Sequence, residues 1–130
     1  MTGQLFTAET LTDSRPGWRL AGEVDLASRK GLTSVLDKVT GQHCDTKGLI
    51  HLELAELEFI DLAGTEALIR TANAVYEASG ARLALHHPPY SLRRVAGLLL
   101  DHLDLDADDI LTLPPVADRR TGRPSPYGIA

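Results

Sequence analysis

The sequence predicts an α/β fold, a mixed sheet of four to five strands with an N-terminal hairpin and three main helices mostly on one face. Three observations carry this expectation. Segments with a two-residue apolar period alternate with segments of helical spacing, in the order β-β-α-β-α-β-α with a short last strand. Gly41 and Gly80 stand where two of the helical patterns end. The strand–helix–strand repeats require parallel pairs joined by right-handed crossovers, while the two opening strands are separated only by a turn.

The elements follow in order. Residues 4–10 form a first strand, with Leu5, Thr7 and Glu9 opposite Phe6 and Ala8. Arg15-Pro16-Gly17 is a turn signal. In residues 18–24, Trp18, Leu20, Gly22 and Val24 face one way and Arg19, Ala21 and Glu23 the other, which completes a hairpin. Asp25 resembles a helix N-cap, and Leu32, Val35, Leu36 and Val39 follow at helical spacing. Residues 49–54 read as a central strand with Ile50, Leu52 and Leu54 on its more apolar face. A short acidic loop then leads to Asp61, which stands at the N-cap of a second helix running to about Ser79. Its stripe is Leu68, Ile69, Ala72, Val75 and Tyr76. Residues 82–86 form another strand, and Pro88 and Pro89 break the chain. Ser91 is placed to cap a third helix with the stripe Leu92, Val95, Ala96, Leu99 and Leu103. Residues 110–113 add a last strand before Pro114 and Pro115.

Composition bounds the function. A chain of 130 residues suits one domain with its own core, here assigned to residues 1–116. Residues 117–130 contain Pro, Gly, Ser and Arg with little to bury and are expected to be disordered. That tail carries Asp118, Arg119, Arg120 and Arg123, a net +2, so the formal charge of −5 leaves −7 on residues 1–116. An acidic body argues against nucleic acid and anionic membrane as partners. No apolar run approaches the roughly 20 residues of a membrane span, and no signal-peptide pattern is visible. Cys44 is the one cysteine, which excludes an internal disulfide and fits a cytoplasmic setting.

Sites of chemistry are few. No Gly-x-Ser-x-Gly elbow and no glycine-rich phosphate cradle occurs. Cys44 adjoins His43, but sequence neighbours in a loop do not make a nucleophile–base pair, and the reading is a bland cysteine. His86 and His87 point to opposite faces if they lie on a strand, His51 and His102 read as isolated, and no ligand spacing for a metal emerges. Glu53, Glu56, Glu58 and Asp61 crowd one loop, read as a solvated acidic rim over the sheet edge rather than an acid/base pair. Leu98-Leu99-Leu100 widens the apolar surface of the third helix beyond one stripe, which suits a partner surface or a helix sandwiched by the last strand or the tail.

Two segments together carry a family resemblance. One is Leu20-Ala21-Gly22-Glu23-Val24-Asp25-Leu26-Ala27, and the other is Phe59-Ile60-Asp61-Leu62-Ala63-Gly64-Thr65-Glu66-Ala67-Leu68. They resemble the two signatures of STAS domains, the bacterial anti-sigma factor antagonists, over residues 5–113. The resemblance implies a non-enzymatic switch protein with no cofactor. In such antagonists the serine after the motif Asp is phosphorylated by a partner that is both anti-sigma factor and histidine-kinase-like ATPase, and the unphosphorylated form captures that partner. A phosphate adds about −1.5 to −2 charges within such an interface. Here Leu62 holds the acceptor position and Ala63 the second hydroxyl position, so the phosphosite is degenerate. Thr65 is the nearest hydroxyl, rotated by roughly 300° on the helix, and reads as an exposed helix residue.

The resemblance thus implies a regulatory protein-binding module with constitutive docking. Its partner-binding residues are Asp25, Leu26, Ala27, Asp61, Leu62, Ala63, Gly64 and Thr65. Gly64 lets the helix start approach another backbone. The partner is an anti-sigma factor kinase or another STAS-binding protein, with a homodimer also open. The alternative is an accessory or scaffold subunit of a signalling or lipid-transport complex.

Overall fold

A computed structural model describes residues 5–102, 111–112, 116–117 and 124–125. The strands are β1 (Thr7–Thr10), β2 (Gly17–Val24), β3 (Leu49–Ile60), β4 (Arg82–His86), β5 (Leu111–Thr112), β6 (Val116–Ala117) and β7 (Pro124–Ser125), and the helices are α1 (Arg29–Thr40), α2 (Leu62–Ser79) and α3 (Tyr90–His102). One sheet runs in the order β1-β2-β3-β4-β5, and β6 pairs with β7 in a separate two-stranded ribbon. The opening hairpin is antiparallel, and β2/β3, β3/β4 and β4/β5 are parallel. This is the expected mixed α/β sheet. Leu103 and most of residues 117–130, for which a stripe position and a disordered tail were expected, lie outside the described residues.

One core explains the layering. Trp18, Leu20 and Val24 of β2 join Ile50, Leu52 and Leu54 of β3 and Leu83 and Leu85 of β4. Against them pack Leu32, Val35, Leu36 and Val39 of α1, Leu68, Ile69, Ala72 and Val75 of α2, and Leu92 and Ala96 of α3. All three helices therefore share one sheet face. Burial on that scale contributes about 1.5–3 kcal/mol for each large side chain. Tyr76 is not part of the stripe and stands exposed. Gly80 closes α2 in the left-handed conformation at φ 77°, where a side chain would be strained.

The largest departure from the sequence reading is β3. It does not end in an acidic loop after Leu54 but continues to Ile60. Two register shifts against β2 let β3 use three residues where β2 uses two. Gly22 faces Leu57 and Val24 faces Ile60, so Leu54, Leu57 and Ile60 reach the core at a spacing of three. Glu56 and Glu58 are strand residues with their side chains in solvent. Bulges twist and bend the strand that carries them, often beside functional loops. Two helix starts also differ. Asp25 precedes α1 by four residues and organises a turn, and Ser91 lies inside α3, which begins at Tyr90.

Candidate functional site

The parallel pairing of β2 and β3 ends at Val24 and Ile60, so the turns that follow lie side by side. The Asp61 amide donates to the Val24 carbonyl at 3.0 Å, which ties them together. In the first turn, Asp25 Oδ1 accepts from the amides of Ala27 and Ser28 at 3.0 and 3.2 Å. The Ser28 hydroxyl donates to the Glu23 carbonyl at 2.8 Å. With its polar groups tied back in this way, the turn presents Leu26 outward at 78% exposure.

In the second turn, Asp61 is the N-cap of α2. Its backbone is extended and its Oδ1 accepts from the Gly64 amide at 2.8 Å. Oδ2 accepts from Arg29 Nη2 at 2.9 Å, an ion pair with both side chains half-buried. Arg29 escaped the sequence reading. One local signal was available: a cation in the first turn of a helix faces the positive end of the dipole and needs another reason to be there.

The eight predicted residues fall into two layers. Asp25, Leu26, Ala27, Leu62 and Ala63 are exposed, Leu62 at 60%, and Asp61 is half-buried beneath them. Gly64 and Thr65 are buried and shape the turn from below. The Thr65 side chain is fully enclosed and donates to the Asp61 carbonyl at 3.0 Å, contrary to the exposed position expected for it. A kinase cannot reach that hydroxyl without unwinding the helix start. Gly64 approaches side chains rather than another backbone: a Cβ there would lie 2.8 Å from Val24 Cγ1 and 2.9 Å from Ile60 Cγ1. Phe59, at 42% exposure, adds a further apolar group at the end of β3.

A second polar cluster lies on the sheet face opposite the helices. His51 is not isolated. Its Nε2 is 2.7 Å from Asp45 Oδ2 and its Nδ1 is 2.9 Å from His86 Nε2. His87, at φ 53°, turns back so that its Nδ1 lies 3.0 Å from Glu53 Oε1. The His51 contact holds the Asp45 carboxyl down to about 2, helped by the amides of Leu49 and Lys47. Burial lowers His86, as do the nearby charges of His51 and Arg15. The His51–His86 and His87–Glu53 contacts join residues 35 and 34 apart, so periodicity carried no trace of them. Among the described residues, no group of three or more His, Cys, Asp and Glu is arranged to hold a metal ion. Cys44 is exposed.

Over 83% of this chain and 86% of the other, the structure matches the anti-sigma factor antagonist SpoIIAA in its unphosphorylated form, with TM-score 0.51 and 19% identity. An anti-sigma factor antagonist from Mycobacterium paratuberculosis matches over 82% of this chain and 84% of its own, with TM-score 0.53 and 17% identity. The fold is that of the anti-sigma factor antagonists, the STAS fold. No family model and no curated protein matches the sequence. Among the described residues, no helix is long and apolar enough to cross a membrane.

Proposed function

We propose that the protein is a cytoplasmic, non-enzymatic binding module of the anti-sigma factor antagonist type, and that it docks its partner constitutively. The observation that carries this reading is Leu62, an apolar side chain in solvent at the first position of α2. It stands where the family pattern has a phosphorylated serine. Leu26, Ala27, Ala63 and Phe59 are also exposed on the two turns and the strand end that leads into them. The Asp61 carboxylate is already engaged by Arg29 and the Gly64 amide. The surface offered to a partner is therefore largely apolar, with the Asp61 charge compensated and Asp25 held by backbone amides beside it. Burying Leu62 would contribute about 1.5–3 kcal/mol, the scale of an interface anchor.

The partner on this reading is an anti-sigma factor of the histidine-kinase-like ATPase type. The test uses purified candidate kinases of that type from the same genome, surface plasmon resonance, and intact-mass measurement after incubation with ATP. Binding with no added phosphate is expected, as is a loss of affinity of about tenfold or more for Leu62→Asp. Phosphate on this domain would overturn constitutive docking, and no binding to any candidate would overturn the antagonist role. Leu62 would also serve a STAS accessory or scaffold subunit, because docking of that kind needs no hydroxyl. Co-purification with a transporter ATPase or a large complex selects that reading, and a concentration-dependent dimer lost in Leu62→Asp selects self-association.

A further inference from the structure

His51 is only 7% exposed, yet both of its ring nitrogens are engaged. It lies nine residues before Ile60 on β3, roughly 25 Å of strand from the docking turns. The protonation pattern of the cluster follows from acceptor capacity. Asp45 is ionised at any ordinary pH and can only accept. His51 Nε2 therefore donates to it. In the neutral ring, Nδ1 is then the acceptor, and His86 Nε2 must donate to it. The ring centroids are 5.1 Å apart with 2.9 Å between the nitrogens, so the rings meet edge to edge rather than stacking by their faces.

Protons added to this chain are not equivalent. One added proton still leaves an N–H on one ring facing a lone pair on the other across 2.9 Å, and both hydrogen bonds survive. A second proton leaves no lone pair between the rings. Two N–H groups would then point at each other across 2.9 Å, and the contact breaks. We propose that Asp45, His51 and His86 form an acid-released latch joining the α1–β3 connection to the β4–α3 corner. This device is independent of the docking surface and of any partner.

The corner has the features a latch would act on. His86 is the last residue of β4, and α3 begins at Tyr90. Between them His87 adopts a left-handed conformation, at φ 53°, that is strained for a non-glycine residue. The charged groups around the pair come from every side. Asp45 is on the α1–β3 connection, Arg15 with its partner Asp13 on the hairpin turn, and Glu53 on β3. Arg19 pairs with Glu53 in register, Arg82 precedes on β4, and His87 follows His86. Arg15 and His87 oppose a cation on His86, and Glu53 favours one. A cation on His87 strengthens its tie to Glu53, so release falls on the His51–His86 contact alone.

Long-range ¹H–¹⁵N spectra of the full chain test this from pH 8 downward, with amide-exchange protection measured at residues 86–90. At pH 8 both rings should show the Nε2–H tautomer. Two separate protonation steps should follow, with corner protection falling about tenfold in the second only. His86→Gln keeps a donor for His51 without a titrating ring, so the acid-dependent loss of protection should vanish. Asp45→Asn keeps an acceptor but removes the anion that favours a cation on the pair, so the loss should begin at lower pH. A mixture of tautomers at pH 8, one common protonation step, or acid-dependent exchange that persists in His86→Gln would overturn the latch.

Discussion

Leu62 and Asp61 are neighbours with opposite tasks. Leu62 points into solvent, while Asp61 has both carboxylate oxygens occupied, one by the Gly64 amide and one by Arg29. Substituting Asp61 by Ala removes a helix cap and a half-exposed ion pair together. The expected loss is about 1–2 kcal/mol in urea unfolding, most of it from the cap. Gly64→Ala probes the same turn by volume. Its new methyl would press on Val24 and Ile60, both fully enclosed, and a loss of about 1–3 kcal/mol is expected in the same assay. The cap was legible in the sequence because it is local: an Asp followed by a helical apolar period is a pattern within one turn. The Arg29 pair was not, because 32 residues separate its ends. Thr65 was misjudged for a related reason. Its position on α2 said nothing about β2 and β3 passing close to the helix start.

At the level of elements, the two strands of the hairpin, the three helices and the strand before α3 follow from periods of 2 and 3.6 residues. β3 defeats that reading in its second half. A strand is recognised by alternation, and two bulges replace alternation with a spacing of three at Leu54, Leu57 and Ile60. Only the partner strand shows why. β2 keeps its strict alternation from Trp18 to Val24, and β3 must place two extra residues beside it. Leu57 separates the two descriptions experimentally. In an acidic loop, Leu57→Ala would change stability by less than about 0.5 kcal/mol. As a buried strand residue in the core it should cost about 2–5 kcal/mol, read from the shift of the unfolding midpoint at unchanged slope.

For the whole molecule, the gathering of Asp45, His51, Glu53, His86 and His87 on the sheet face away from the helices was not legible in the sequence, since it depends on strand order and register. Their combined effect sets the response to acid. His86 is held below its ordinary 6.5, first by burial and then by the charges of His51 and Arg15. A lowered histidine favours the neutral form in the folded state. Its contribution is complete above pH 6.5 and is lost as pH falls through the folded value. Asp13 is lowered by Arg15, and Asp45 falls from 3.8 to about 2 through His51 and two amides. Glu53 is raised by burial, but His87 and the Ala55 amide outweigh that and leave it lowered. These carboxylates contribute above their unfolded values near 4 and lose that contribution as they are protonated. Both kinds of group therefore act in the same direction. Stability should be level above about pH 7, decline first below 6.5, and decline again from about 4 towards 2. Thermal unfolding of three proteins over pH 8 to 2.5 resolves the two stages. His86→Gln should flatten the first and Asp45→Asn should shrink the second. Stability that instead rises from pH 7 to 5, or a second decline unchanged in Asp45→Asn, would contradict the assignment of these groups.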